Sequence, residues 1–268
     1  MTLLDDIAEW SFAAFALLLL LTQLLAKELG FLYGRHRAKE GQDQAEGAGL
    51  VVAGMLGLLG FVLALTLSFA NNRFDERRSG TLAEANAIGT AWLRAEAIGH
   101  PRGAEIARLL VDYTKVRADF VRAGRDTAVL DDLNRRSSAM QNEIWGHVAA
   151  LVRERPDPVA TSLMSSVNET FDASTAERFA YAFTLPPQLL WLLLTMVMLG
   201  MAALGLQLGL RGRPLRLVST LLTVMWTLVV MDILDLSAAR MGNLRTSAAV
   251  YDWTLQGFSG AIRIPPAP

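Results

Sequence analysis

The chain has no cysteine, only three histidines and nine prolines among its 268 residues. Without cysteine there is no thiol nucleophile, no disulfide and no thiolate metal site, and the redox compartment stays open. His36, His100 and His147 lie far apart in sequence with no paired ligand spacing, which argues against a histidine-based zinc site. Nucleophile elbows, phosphate loops and paired-carboxylate motifs are also missing. Gly54, Gly57 and Gly60 fall inside an apolar run rather than between a strand and a helix, so they do not make a dinucleotide loop. Acidic and basic residues nearly cancel, with a formal net charge of −1, and no large basic face offers itself to nucleic acid. An enzyme is therefore the least supported class, and the expectation is a protein without catalytic residues.

What the chain does have is apolar length. Apolar residues make up 52% of it, mean hydropathy is positive, and the charge is concentrated in the middle. This predicts an all-α membrane protein with four transmembrane helices and a helical-bundle soluble insert between the second and third spans. Residues 1–73 would form the first membrane helix pair, 74–184 the insert, 185–238 the second pair and 239–268 a tail.

The N-terminal stretch contains Asp5, Asp6 and Glu9 without a lysine or arginine, unlike a secretory signal, so Trp10 to about Ala26 reads as a retained first span. Lys27 to Glu46 reads as a polar loop. The second span is the element around which the rest is arranged. Its 22 residues from Gly49 to Ala70 are free of charge, enough to cross a hydrocarbon core of roughly 30 Å. No proline follows until Pro101, so the helix is expected to continue to Ile98. In the insert, Ile106, Leu109, Leu110, Tyr113, Phe120 and Val121 form one helical stripe. Leu130, Leu133, Met140, Ile144, Val148 and Leu151 form another. Breaks at Gly99–Pro101, Gly124–Asp126 and Pro156–Pro158 separate four helices, counting the extension of the second span. Pro186 and Pro187 open a third span to Leu210, and Leu215 to about Leu236 is the fourth. The tail from Ser237 is moderately polar and ends in a proline-rich segment expected to be disordered.

Basic residues in the two short loops (Lys27, Arg35, Arg37 and Lys39; Arg211, Arg213 and Arg216) place those loops in the cytoplasm. Both termini and the insert then lie outside.

Ala53, Gly57, Gly60, Ala64, Ser68 and Asn71 share one face of the second span, and side chains this small either admit a neighbouring backbone or border a narrow path. They are the candidate pore-lining residues. Arg73, Asp75, Arg77, Arg78, Asp232, Asp235 and Arg240 are the candidate pore-mouth or gating charges. Asp232 interrupts an apolar run near the end of the fourth span, where a carboxylate is costly unless paired or wet. Asp75, Asp232 and Asp235 are also the one place where a divalent cation such as calcium is left open; no other cofactor is indicated. Glu84 and Asn86, on the charged extension, serve either helix packing or ion contact.

These residues resemble the bacterial bestrophin-like family. The resemblance rests on Arg73-Phe74-Asp75-x-Arg77-Arg78, on Glu84-Ala85-Asn86-Ala87-Ile88-Gly89-Thr90-Ala91-Trp92-Leu93-Arg94, on Tyr113-x-x-x-Arg117 and on Asp232-Ile233-Leu234-Asp235-Leu236 with Arg240 and Gly242 behind it. Where family members continue the last motif with aspartate, arginine and proline, this chain has Ser237-Ala238-Ala239-Arg240. The resemblance implies a four-span ion channel of the bacterial inner membrane, a homo-oligomer and by analogy a pentamer. It also implies that the second span lines a pore for inorganic ions, chloride foremost. It implies cytoplasmic termini, against the charge-based orientation. The alternative is a non-conducting membrane sensor or scaffold whose insert binds a ligand or partner protein.

Overall fold

The computed structural model describes residues 12–39, 45–183, 185–240 and 242–260. The acidic N-terminal stretch, the start of the first span at Trp10 and the proline-rich end lie outside these residues. Eight helices and no strand occur among the described residues: α1 (Phe12–Lys39), α2 (Ala45–Ala97), α3 (Pro101–Arg122), α4 (Thr127–Glu154), α5 (Pro158–Ala182), α6 (Pro187–Leu210), α7 (Arg216–Ser237) and α8 (Ala249–Ser259). Four stretches, carried by α1, α2, α6 and α7, are long and apolar enough to cross a membrane. The chain divides into two compact units, one of residues 1–73 with 184–244 and the other of 74–183 with 245–268.

In the first unit the closest packing is between α1 and α6. A Cβ added to Gly30 would run into the carbonyl oxygen of Ala202, and one on Gly34 into that of Leu206. In return, a Cβ on Gly205 would meet the carbonyl of Lys27, and one on Gly209 that of Phe31. Lipid tails are as apolar as leucine, so membrane helices gain little by hiding apolar area from lipid, and close backbone contact through small residues supplies the packing instead. Phe15 and Leu19 of α1, Leu59 and Leu63 of α2, Leu193 and Val197 of α6, and Val230 and Ile233 of α7 fill the interior.

Helix α1 does not stop where its polar residues begin. The sequence places a loop from Lys27, but the helix continues through Lys39. Lys27 is only 6% exposed, and its ammonium donates to the hydroxyls of Ser219 and Thr220, each at 3.2 Å. One turn earlier, Gln23 is fully buried and donates to Thr227 at 2.9 Å. Hydroxyls on α7 thus replace water as partners, and the polar face of α1 stays helical.

In the second unit the helices end at the breaks seen in the sequence. Gly99 takes a left-handed φ of +62°, and Pro101 opens α3. Asp126 caps α4 by accepting from the Ala128 amide at 2.9 Å, and Asp157 caps α5 by accepting from the Ala160 amide at 2.9 Å. The two predicted stripes face inward, with Ile106, Leu110, Ile144, Val148 and Leu151 fully buried. The tail differs from expectation, because residues 249–259 form a helix. α8 packs on α3, Tyr251 is fully buried, Phe258 stacks on Trp92 at 4.6 Å, and Arg122 pairs with Asp252. At 11 residues, it is too short to stand out by periodicity.

Candidate pore face and the buried ion cluster

Helix α2 runs unbroken from the charge-free segment into the charged one, and its two sides differ throughout. Val52, Leu59, Leu63 and Ala70 are buried in the first unit. Ala53, Gly57, Gly60, Ala64, Ser68 and Asn71, all six of the small-residue face, are exposed. A Cβ on Gly54, Gly57 or Gly60 would meet nothing within 4 Å, the reverse of the crowded glycines of α1 and α6. Leu58, Phe61 and Leu65 form an exposed bulky flank beside these small residues. In the second unit, Asp75, Arg78, Leu82 and Asn86 of α2 are exposed at helical spacing.

The charges around the end of the span take different places. Arg73 is half-buried, with its guanidinium 4.9 Å from the Phe69 ring centroid. Arg77 is buried, over the Phe74 ring at 6.0 Å. Arg78 and Asp75 are exposed. On α7, Asp232 is exposed, whereas Asp235 is 5% exposed. Oδ1 of Asp235 accepts the Asn243 amide at 2.9 Å and the Leu244 amide at 3.0 Å. Gly242 stands in the left-handed region (φ +71°), and any side chain there would strike the Asp235 carboxylate. This accounts for the Asp235–Gly242 pairing in the family motif: the acid ties the chain after α7 into a turn. Arg240 is half-buried.

The strongest polar constellation lies in the second unit. Arg117 of α3 donates through Nε to Glu84 Oε1 at 2.6 Å and through Nη2 to Glu84 Oε2 at 3.1 Å. The same Nη2 reaches Glu177 of α5 at 2.7 Å. Tyr251 of α8 donates its phenol to Glu84 at 2.6 Å and lies 3.0 Å from Glu177, and Thr81 donates to Glu177 at 2.6 Å. Arg117, Glu84 and Glu177 are fully buried, and the Phe120 ring lies against the guanidinium at 4.6 Å. Four helices meet in this cluster.

Charge balance decides its protonation. Two carboxylates against one guanidinium would leave a net negative charge sealed from water, at a cost of several kcal/mol. Glu84 receives two donors of Arg117, Nε and Nη2, one on each oxygen, and is the ionised member. Burial pushes the Glu177 carboxyl up to about 8, and the neighbouring Glu84 charge works in the same direction. Tyr251 is raised well above the ordinary phenol range, first by burial and then by Glu84, so it remains a donor. Tyr113, whose hydroxyl accepts from Gln141 at 2.9 Å, is pushed up to about 12 for the same two reasons.

The sequence singled out Glu84 and quoted Arg117, but it missed Thr81, Glu177 and Tyr251. Glu177 sits in a weakly amphipathic helix, and Tyr251 in the segment read as tail. Neither carries a local signal, and only the fold joins them. Asn86, paired with Glu84 in the sequence reading, lies on the opposite, exposed side of α2.

Comparison with known proteins agrees with this architecture. The Bestrophin-like domain family matches residues 16–250. The crystal structure of a bacterial bestrophin homologue from Klebsiella pneumoniae superposes with a TM-score of 0.67 at 16% identity, covering 92% of this chain and 99% of that one. A single-site variant of that homologue gives 0.64 at 16% identity, covering 94% and 99%. A protein described only as a membrane protein gives 0.64 at 16% identity, covering 91% and 99%. No curated protein sequence matches the chain. Four apolar helices, the charged extension of α2 and a family match over most of the length agree, and the chain belongs to the bestrophin-like family of membrane proteins.

Proposed function

We propose that the protein is a homo-oligomeric ion channel of the bacterial inner membrane, with the small-residue face of α2 turned toward a shared central axis. The carrying observation is the open face from Ala53 to Asn71. The glycines that pack against a neighbouring helix backbone are on α1 and α6, while Gly54, Gly57 and Gly60 of α2 face open space within the protomer. Several copies of α2 around an axis would leave a path bordered by Cα atoms, methyl groups, a hydroxyl and an amide. Leu58, Phe61 and Leu65, on the adjoining flank, would supply contact with lipid or the next copy. By the family resemblance, the number of copies is five.

The permeant ion we propose is chloride. The bordering residues carry no charge, so selection falls to the ends of the path. There Arg73 and Arg78 would raise the local anion concentration. The basic short loops favour an extracytoplasmic insert.

The test is flux from liposomes containing the purified protein, with oligomer size measured in parallel. Chloride flux is expected, and Gly57→Leu is expected to cut it at least tenfold with oligomer size unchanged. Wild-type flux no greater than that of empty vesicles across several pH and calcium conditions would rule conduction out. A reversal potential set by potassium would overturn the anion assignment alone.

A further inference from the structure

Helices α3 and α4 lie side by side in the second unit, and their packing joins three residues that are far apart in sequence. Glu105 comes from α3, and Glu143 and His147 are one turn apart on α4. Each offers one ligand atom, and these atoms lie within 4.8 Å of one another. Glu143 is exposed, and Glu105 and His147 are half-buried, so the cluster opens to solvent. His147 carries a second signal. Its Nδ1 is buried without a hydrogen-bond partner, whereas buried ring nitrogens are ordinarily satisfied.

The geometry points to a zinc site formed by Glu105, Glu143 and His147, with a fourth position left to water. Ligand atoms around tetrahedral zinc stand roughly 3.3 Å apart, so binding would draw these side chains together from their present separation of up to 4.8 Å. Two carboxylates offset the ion's double charge. The imidazole favours zinc over calcium and magnesium, which take oxygen ligands and more of them. Glu143 and His147 at positions i and i+4 project from one helix face, the spacing by which a single helix supplies two ligands. Arg108 pairs with Glu105 at 2.6 Å from the same helix and orients that carboxylate, as outer partners of ligating acids do. The three histidines gave no such signal in the sequence, because the site uses one of them and takes its third ligand from another helix.

The experiment is calorimetric titration of zinc into the full-length, untagged protein in detergent, with calcium and magnesium titrated for comparison. Wild type is expected to bind one zinc per chain, and that binding is expected to persist in millimolar magnesium. His147→Gln and Glu143→Gln are each expected to weaken it at least tenfold. Asp131→Asn, an exposed acid elsewhere on α4, is expected to bind like wild type. X-ray absorption should show imidazole scattering in the wild type that is lost in His147→Gln. Glu143 is exposed, so its variant folds and keeps the test decisive if the histidine variant does not. No zinc uptake by wild type, or uptake unchanged in Glu143→Gln, overturns the assignment.

Discussion

Tyr251 and Glu84 are 167 residues apart and share a hydrogen bond of 2.6 Å, with the phenol as donor. Because Tyr251 belongs to α8 and Glu84 to α2, the C-terminal helix closes over the buried ion cluster and completes it. Burying charge this deeply requires every acceptor to be met, and the tail supplies the last donor.

Tyr251→Phe keeps the ring and removes that donor. A buried hydrogen bond to a charged group is worth about 1.5–3 kcal/mol, so a clear fall in the thermal unfolding midpoint is expected. A stop codon replacing Ala249 should lower it further, since the Trp92–Phe258 stack is lost as well. Midpoints equal to wild type in both variants would show that α8 does not support the second unit.

The two acids of the cluster should respond differently to the same change. Glu84→Gln leaves Arg117 buried without its ionised partner, and breaking such a pair costs about 3–5 kcal/mol. Glu177→Gln replaces a protonated carboxyl with a neutral group of similar shape and should cost about 1 kcal/mol or less. Thermal unfolding of the purified variants checks the order, and equal losses would refute the assignment of the proton.

The raised carboxyl of Glu177 makes stability depend on pH. Its ordinary value is 4.5 and its folded value about 8, so between these limits the folded protein holds a proton that the unfolded chain has released. Stability conferred by this group is therefore full below about 4.5 and declines as pH rises to about 8, by at most about 1.4 kcal/mol per unit. Unfolding midpoints across this range should fall in wild type more steeply than in Glu177→Gln.

Glycines in the two packing environments should also differ. Gly205→Val puts side-chain atoms onto the Lys27 carbonyl and is expected to abolish recovery of folded protein from membranes. Gly60→Val projects into open space in the protomer and is expected to fold normally, with its effect confined to flux. Size-exclusion profiles and flux assays separate the two outcomes.

A chain without cysteine suits single-cysteine labelling. If Ala64 and Ser68 border a water-filled path, Ala64→Cys and Ser68→Cys should react with small charged thiol reagents and Phe61→Cys should not. Gly124→Cys, in the turn between α3 and α4, should label from outside intact spheroplasts if the insert is extracytoplasmic. Labelling only after lysis reverses the orientation.

Much of the fold was legible because it follows from length and punctuation. A charge-free run of bilayer length, followed by residues with no breaker, predicts a helix to Ile98, and α2 ends at Ala97. Pro101, Asp126 and Pro158 mark the later helix starts by well-defined capping chemistry. The continuation of α1 past Lys27 was not legible, because the hydroxyls that accept its ammonium lie about 190 positions away, at Ser219 and Thr220. The same holds for the buried cluster. A glutamate in a helix reads alike whether it faces water or an arginine from another helix, so Glu84 could be noticed while Glu177 could not. The glycines showed where close approach is allowed, but not which helix would use it: Gly30, Gly34, Gly205 and Gly209 do, and Gly54, Gly57 and Gly60 of α2 do not.

The interlocked glycines of α1 and α6 also bear on movement. Shifting either helix along the other by one residue would drive a side chain onto a carbonyl oxygen, so the pair forms a fixed keel with no slack for sliding. On the channel reading proposed above, opening and closing would leave α1 and α6 locked to each other as one piece.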